Sequence, residues 1–274
     1  MMYKLLCIDM DGTLLNSEGN VTERTLKAIK SAHKKGVIVT VCTGRIYTSA
    51  KYYAELIGVK APIIALNGAY IREKDKNEVI YKSVLGKENC IKILNIAKKY
   101  GLYLHFNTPD VVITEKIIHS SEKYAKMNET MPKDKQIAIE LVKNWNDTFE
   151  KYSDEILKCI TIDDDKEKIL KAKEELLKYE EFEVVSSWNN NFEVMCKGVS
   201  KGRAVEVLAG FYNINREEIM CIGDNENDIS MLSYAGLGVA MGNGESFVKE
   251  IADFVTDTND DDGVAKAIEK FILE

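Results

Sequence analysis

Residues 4–14 read KLLCIDMDGTL, an apolar run followed directly by two aspartates and a glycine turn. The run Lys4–Ile8 predicts a short buried strand, because near-continuous apolar residues suit a strand that is covered on both faces. Asp9 and Asp11 follow at its carboxyl end, where open parallel sheets bind their ligands. Two carboxylates this close repel each other unless a cation or a proton lies between them. Taken alone, the segment also fits a solvated turn with an Asx hydrogen bond.

Strand-like and helix-like patterns alternate through the first third of the chain, and the last third repeats this alternation. Such a rhythm with apolar strands is typical of a parallel sheet with helices on both faces. We therefore predict an α/β fold with a Rossmann-like parallel-sheet core. The strands are predicted at 4–8, 37–42, 62–66, 219–222, 237–241 and 254–255, and the helices at 22–35, 46–57, 201–211, 228–235, near 246 and at 263–272.

The middle of the chain has a different pattern, with more extended segments and a highly charged helix. It predicts an inserted α+β cap domain in which helices pack on one side of a mostly antiparallel sheet. We place the catalytic core at residues 1–83 and 196–274 and the cap at 84–195. The cap helices are predicted at 87–99, 120–127 and 166–179, and its strands at 103–107, 111–114, 157–162, 183–187 and 192–195.

Polar residues follow two further predicted core strands. Thr43-Gly44-Arg45 leads from one strand into a helix, and Asn67 follows the next strand. A hydroxyl and a glycine at a helix N-terminus can bind an anion through free backbone N–H groups, and an arginine there can fork onto an oxyanion. Thr43 as a simple N-cap, and Asn67 as a simple turn residue, are the alternatives.

The last third carries a lysine and an acidic turn in informative places. Lys201 stands at the start of a predicted helix, where the helix dipole disfavours a cation unless an anion lies nearby. Residues 223–229 read GDNENDI, and the polar part, Gly223–Asp228, connects a predicted strand to a predicted helix. N-capping accounts for one or two of these polar side chains but hardly for the whole cluster, and carboxylate oxygens are the ligands that Mg²⁺ prefers.

With these motifs in order, the sequence resembles the haloacid dehalogenase (HAD) superfamily of aspartate-nucleophile phosphotransferases. The residues in and around the motifs resemble the Cof-type branch of that superfamily. The four signature motifs correspond to Asp9–Leu14, Thr43, Lys201 and Gly223–Asp228. In that branch a large α/β cap of the IIB type is inserted between the second and third motifs, where this chain has room for it.

The resemblance implies a Mg²⁺-dependent phosphatase that works through an aspartyl-phosphate. It makes Asp9 the nucleophile and Asp11 the general acid and base. The metal site would comprise Asp9, the Asp11 carbonyl, Asp224 and Asp228, with Asp228 orienting Lys201 or a metal-bound water. The residues implied for phosphate binding are Thr43, Gly44, Lys201 and Asn227, with Arg45 and Asn67 as secondary candidates for substrate contact.

The composition and net charge of the chain limit the classes of molecule that it is expected to bind. The net charge of −7 argues against nucleic acid binding, since phosphate backbones need clustered Lys and Arg. No apolar run is long enough to cross a bilayer, and the N-terminus enters a strand too early for a signal peptide. The six cysteines form no CxxC pair, so their spacing does not indicate a zinc site or a redox motif. We expect a cytoplasmic monomer or homodimer that acts on a small phosphorylated metabolite.

Two other functions stay open at this point. A sugar-phosphate mutase or phosphotransferase would pass the phosphoryl group to a second hydroxyl. A catalytically silent regulator would only bind a phosphorylated ligand. Gly236–Gly242 superficially resembles a dinucleotide fingerprint, but Met241 stands where its third glycine should be. Within the cap, residues 105–107 and 188–191 are candidates for substrate contact, although each fits an ordinary surface or core position as well.

Overall fold

The structure, a computed structural model, describes residues 3–274. Met1 and Met2 lie outside the described residues. The expectation that the N-terminus enters a strand too early for a signal peptide concerns these residues in part. The chain divides into two units: one comprises the residues up to Arg45, Ala50–Tyr81 and Ser200–Glu274, and the other comprises Ile46–Ser49 and Lys82–Val199. Within the described part of the chain, no helix combines the length and the apolar character needed to cross a membrane.

Fourteen strands and ten α-helices are present among residues 3–274. The strands are β1 (Leu5–Ile8), β2 (Ile38–Val41), β3 (Ile63–Ala65), β4 (Tyr70–Arg72), β5 (Val79–Lys82), β6 (His105–Asn107), β7 (Val111–Thr114), β8 (Ala138–Leu141), β9 (Lys158–Ile162), β10 (Phe182–Val185), β11 (Asn191–Cys196), β12 (Ile219–Gly223), β13 (Leu237–Ala240) and β14 (Phe254–Val255). The helices are α1 (Glu23–Lys34), α2 (Tyr47–Leu56), α3 (Lys87–Lys99), α4 (His119–Thr130), α5 (Trp145–Lys151), α6 (Lys166–Leu176), α7 (Lys201–Tyr212), α8 (Ile229–Tyr234), α9 (Ser246–Ile251) and α10 (Gly263–Ile268).

The first unit is built on a five-stranded parallel sheet in the order β14-β13-β12-β1-β2. Every residue of β1, β12 and β13 is buried, as expected for parallel strands covered on both faces. Helices α7 and α8 contact each other, and α1 contacts α10. The predicted Rossmann-like parallel core is confirmed.

The third predicted strand is present, but it does not extend the parallel sheet in the expected way. β3 pairs antiparallel with β4 in a separate three-stranded sheet, β3-β4-β5. Its link to β2 is the isolated parallel bridge between Cys42 and Ile64, next to the hydrogen bond from the Thr43 N–H to the Ile64 carbonyl (3.0 Å). Strands β4 and β5 were not predicted, because short strands of mixed polarity carry little periodicity.

The second unit contains a six-stranded sheet in the order β10-β11-β9-β6-β7-β8. Its pairs are antiparallel except for β7 with β8, which run parallel. Helices α3, α5 and α6 form one hydrophobic core with the sheet, which includes Phe149 from α5 and Phe106 and Phe192 from the strands. The predicted α+β character is therefore present, but β8 and α5 were missed because both are short.

Strand order in the first unit determines where its polar loops emerge. β1 lies between β12 and β2, and all three run in the same direction. Asp9 follows β1 directly, Thr43 comes two residues after the end of β2, and Asp224 follows β12 directly. Neighbouring parallel strands end at one edge of a sheet, so the three loops share that edge.

Candidate active site

Lys201 is the centre of the polar cluster at this edge. It is the first residue of α7, whose N-cap is Ser200: the Ser200 hydroxyl accepts a hydrogen bond from the Arg203 N–H (3.1 Å). The Lys201 side chain is fully buried, and Nζ donates to Oδ1 of Asp9 and to Oδ1 of Asp228, each at 2.5 Å. The loop after β1 and the acidic turn after β12 therefore meet at one ammonium group.

The charge of Lys201 is stabilised by its two partners. Burial alone would lower the pKa of the ammonium, but the charges of Asp228 and Asp9 outweigh it and raise the pKa well above the usual range. The side chain is therefore a permanent cation in a buried position. The two carboxylates also offset the unfavourable interaction between this cation and the dipole of α7 at the helix start.

Asp228 organises the turn after β12 as well as Lys201. While its Oδ1 accepts from Lys201, its Oδ2 accepts from the backbone N–H groups of Asp224 (2.9 Å) and Asn225 (3.0 Å). Asp228 is completely buried, so these hydrogen bonds satisfy a carboxylate that has no access to water. One side chain thus shapes the loop that carries Asp224 and orients the lysine.

Three carboxylates lie close together beside Lys201. Oxygens of Asp9, Asp224 and Asp228 all lie within 4.8 Å of one another, and all three residues are buried. Burial is the main cause that raises the pKa of Asp9 well above its usual range and that of Asp224 to about 7, and the charge of Asp228 adds to both shifts. One lysine does not balance three buried acids. A divalent cation would supply the missing positive charge, so this set of hard oxygen donors fits a divalent metal ion.

Asp11 is not part of the three-carboxylate cluster. Its two carboxylate oxygens accept hydrogen bonds from Arg45, Oδ2 from Nε at 2.7 Å and Oδ1 from Nη2 at 2.6 Å. Its side chain is 33% exposed, whereas that of Arg45 is 9% exposed. The arginine that was a candidate for substrate contact thus pairs with the residue predicted to move protons. The predicted metal contact of Asp11 involves its backbone carbonyl and stays a prediction.

The remaining predicted site residues join the loops after β2 and β3 to the acidic turn. The Thr43 carbonyl accepts from the Asn67 N–H (3.0 Å), and the Thr43 hydroxyl accepts from the Arg45 N–H (3.2 Å) across Gly44. The Asn67 side chain accepts from the Asn227 amide (3.1 Å). Thr43, Asn67 and Asn227 are therefore linked in one network. Thr43 stabilises its own turn instead of capping α2, which begins only at Tyr47.

Two residues to which the sequence analysis assigned no role contribute to the site. Thr13 donates from its hydroxyl to Oδ1 of Asp224 (2.6 Å). The Asn243 amide donates to the carbonyl of Gly12 (2.8 Å), and Asn243 Oδ1 accepts from the Asn259 N–H (2.9 Å). Asn243 comes shortly after β13, the neighbour of β12. A polar residue after one more parallel strand was the signal that could have identified it.

Two of the cap candidates have structural roles inside the second unit. The Phe106 ring is fully buried and makes edge-to-face contacts with Trp145 and Phe149, so it belongs to the core. The Asn191 side chain accepts from the Ser187 N–H (3.1 Å), in the loop between β10 and β11. These two residues are explained by packing and by loop hydrogen bonding.

A buried ion pair in the second unit has no counterpart in the sequence analysis. Lys158 on β9 pairs with Glu193 on β11, and their side chains are 3% and 2% exposed. Glu193 also accepts from the Ser187 hydroxyl (2.6 Å). A lysine and a glutamate 35 residues apart give no local pattern, so only the pairing of the strands brings them together.

Comparison with known proteins places this geometry in a family. Residues 6–268 match the haloacid dehalogenase-like hydrolases. The 5-amino-6-(5-phospho-D-ribitylamino)uracil phosphatase YcsE of Bacillus subtilis (strain 168) is 34% identical over 275 residues, which cover 98% of this chain and 96% of the relative.

Solved structures agree with the sequence relatives. A haloacid dehalogenase-like hydrolase from B. subtilis superimposes with a TM-score of 0.86 at 30% identity and covers 98% of this chain and 100% of its own. The HAD subclass IIB sugar phosphatase BT4131 superimposes with a TM-score of 0.82 at 26% identity and covers 98% of each chain. The resemblance inferred from the four motifs is thereby confirmed. The chain belongs to the haloacid dehalogenase-like hydrolase family and is one of its phosphatases.

Proposed function

We propose that this phosphatase hydrolyses a small phosphorylated metabolite through an aspartyl-phosphate formed on Asp9, with Mg²⁺ as its metal. The observation that carries the proposal is the buried contact between Asp9 and Lys201, next to Asp224 and Asp228. A carboxylate held by an ammonium group beside an acidic metal-binding cluster suits attack on phosphorus, since the repulsion between two anions must be neutralised there.

In the first half of the reaction, Asp9 attacks the phosphorus atom of the ester. Oδ1 of Asp9 already accepts the Lys201 hydrogen bond, so we assign the attack to Oδ2. The bond between phosphorus and the leaving oxygen breaks, and Asp11 donates a proton to that oxygen. Thr43 and Lys201 hold the phosphoryl oxygens, because a hydroxyl and a buried ammonium offer donors where negative charge accumulates.

In the second half, a water molecule attacks the phosphorus atom while Asp11 takes its proton. The bond from phosphorus to Asp9 breaks, its electron pair returns to the carboxylate, and inorganic phosphate leaves. Asp11 is then protonated again, ready for the next leaving group. One carboxyl group thus serves both halves by reversing its role.

Magnesium fits the donor set because it takes hard oxygen ligands and uses substrate phosphate for part of its coordination. Asp9 and Asp224 would hold it with the Asp11 carbonyl, whereas the hydrogen bonds already made by Asp228 suit a supporting role. The ion would supply positive charge to the phosphoryl group and reduce its repulsion from Asp9.

We assign substrate selection to the second unit and propose residues 84–195 as the cap domain. Its separate sheet and its own hydrophobic core support this assignment, since a domain that folds around its own core can vary independently of the catalytic loops. The substrate class follows the relatives: we propose a sugar phosphate or a related polyhydroxylated phosphomonoester.

The chemistry is tested with p-nitrophenyl phosphate and with the Asp9→Asn variant. We expect hydrolysis that needs Mg²⁺, stops with EDTA and falls at least about 1,000-fold in the variant, because an amide cannot act as the nucleophile. Acid quenching should trap a hydroxylamine-sensitive phosphoenzyme in the wild type only. The control Asp154→Asn makes the same exchange at an exposed position and should retain full activity. Turnover by Asp9→Asn would refute the mechanism.

The substrate is tested with a panel of phosphorylated metabolites that includes hexose phosphates and 5-amino-6-(5-phospho-D-ribitylamino)uracil. We expect phosphate release to be the same with and without an added acceptor sugar. Transfer of the phosphoryl group to the sugar would instead support the mutase reading. Tight binding of a panel member without turnover would support the alternative of a catalytically silent regulator that only binds a phosphorylated ligand.

A further inference from the structure

The pair between Arg45 and Asp11 has the geometry of a fixed clamp. The guanidinium uses two nitrogens on the two carboxylate oxygens, at 2.7 Å and 2.6 Å. Such a two-point contact fixes the plane of a carboxylate as well as its distance. The two residues are 34 positions apart, and the contact joins the loop after β1 to the loop after β2.

Arg45 is itself held at several points. Its guanidinium carbon lies 4.8 Å from the centre of the Tyr53 ring. Its backbone N–H donates to the Thr43 hydroxyl (3.2 Å), and its carbonyl accepts from the Leu66 N–H (2.9 Å). If the guanidinium swings away, it loses the contact with the Tyr53 ring and the pair with Asp11, whereas the two backbone hydrogen bonds fix the position from which the side chain extends. The arginine is therefore built to stay on Asp11.

We propose that Arg45 is a positioning residue that acts through Asp11 in the hydrolytic half of the reaction. This inference rests on the function proposed above. In that half, Asp11 accepts a proton from the attacking water, and the water oxygen forms a bond to phosphorus as the bond to Asp9 breaks. The clamp holds the accepting carboxylate in one orientation while this happens.

The two-point contact matches the ionised form of Asp11, which is the form that starts the second half. When Asp11 donates a proton to the leaving group, one of its oxygens carries hydrogen and no longer accepts fully from Arg45. When Asp11 accepts a proton, both oxygens start as acceptors, which is the arrangement seen here. The clamp therefore fixes the orientation in which the ionised Asp11 meets the attacking water.

The test is pre-steady-state kinetics of the Arg45→Met variant with p-nitrophenyl phosphate. Nitrophenolate leaves without needing a proton, so the first half should proceed almost normally. We expect a burst of nearly one equivalent of nitrophenol per active site, followed by a steady rate at least about 10-fold lower than that of the wild type. A positioned general base contributes roughly 100-fold or more, so a loss of this size corresponds to partial loss of its positioning. Both kcat and KM should fall together, with kcat/KM within about twofold of wild type, because kcat/KM reports only steps up to nitrophenol release.

A second variant protects the test against misfolding. Arg45→Lys keeps the charge but offers a single point of contact, so we expect the same burst with a steady rate between those of Arg45→Met and wild type. The burst amplitude counts working sites, so a folding defect lowers the amplitude and not only the steady rate. A fall of kcat/KM in both variants without a burst would overturn the inference and make Arg45 a phosphate-binding or structural residue.

Two further variants separate this inference from the proposed function. Arg24→Met breaks another two-nitrogen pair, with Glu269, on the exposed surface of the same unit, and should leave the kinetics unchanged. Asp11→Asn should show the burst with an even slower second phase. If Asp11→Asn shows it and Arg45→Met does not, only the role of Arg45 is wrong. If the wild type forms no phosphoenzyme, the proposed mechanism itself fails.

Discussion

The Thr13 hydroxyl donates a 2.6 Å hydrogen bond to Oδ1 of Asp224, across 211 positions of sequence. The bond joins the turn after β1 to the acidic turn after β12. It also favours the charged form of Asp224, because it lowers a pKa that burial raises. Thr13 therefore supports the carboxylate that we assign to the metal.

Replacing Thr13 by Val should weaken Mg²⁺ binding about 10- to 100-fold, the usual effect of removing a residue that orients a metal ligand. Thr13→Ser keeps the hydroxyl and should stay within about threefold of the wild type, since a hydroxyl hydrogen bond to a charged group carries most of the effect. The measurement is the Mg²⁺ concentration for half-maximal activity. Equal behaviour of the two variants would show that the hydrogen bond does not matter.

Gly12 should not tolerate a side chain. Its φ is +80°, and a Cβ at this position would lie 2.5 Å from Oδ2 of Asp224. Gly19 has a nearly equal φ of +78° but faces open space, so Gly19→Ala is the matched control. Both changes should cost about 1 kcal/mol of stability from backbone strain. Only Gly12→Ala should also lose most activity, which a phosphatase assay at saturating Mg²⁺ would show. Comparable activity of the two variants would contradict the close approach.

The metal-free protein should lose stability as the pH rises toward neutrality. The pKa of Asp224 is about 7 in the fold against 3.8 ordinarily, so between these values the folded state holds a proton that the unfolded state has lost. Its stabilising contribution is present at low pH and is lost as the pH rises through about 7. In EDTA, the unfolding free energy of the wild type minus that of Asp224→Asn should therefore fall from pH 5 to pH 8.

Magnesium should reverse this loss, because it replaces the protons as the partner of the acidic cluster. We expect added Mg²⁺ to raise the Tm of the wild type more at pH 8 than at pH 6, and to raise that of Asp224→Asn much less. A Tm increase that is independent of pH would argue against proton release from this cluster.

The buried pair of Lys158 and Glu193 should dominate charge effects on the stability of the second unit. Lys158→Met removes the ammonium group that balances the buried Glu193 carboxylate and should cost about 3–5 kcal/mol. The double variant with Glu193→Met should recover most of this loss, because a well-packed apolar pair can replace a buried ion pair. Denaturant unfolding measures both. The control Lys87→Met breaks the exposed pair with Glu150 and should cost less than about 1 kcal/mol. Similar losses for the two lysine variants would contradict the buried assignment.

The confirmed predictions concern features that neighbouring residues encode. β1 follows from an unbroken apolar run, and the turn at Asp9–Gly12 follows from carboxylates next to a glycine. The parallel core follows from strands and helices that alternate at their own periods. Each of these signals lies within a few residues, so one sequence suffices to read them.

Contacts between distant segments needed the structure. The residue pattern placed Lys201 near an anion, and the resemblance implied that Asp228 could orient it. Strand order and helix packing put its Nζ between Asp9 and Asp228. Arg45 was predicted to bind an oxyanion, but its guanidinium donates two hydrogen bonds to the carboxylate of Asp11.

By itself, the sequence determined the family and the α/β core and supplied the candidate catalytic residues, because those depend on local pattern and residue type. Only the tertiary structure decided the pairing of those residues, the antiparallel pairing of β3 with β4, and the ion pair inside the second unit. These depend on strand order and register across long separations, where a side chain's partner is chosen by packing and not by its neighbours along the chain.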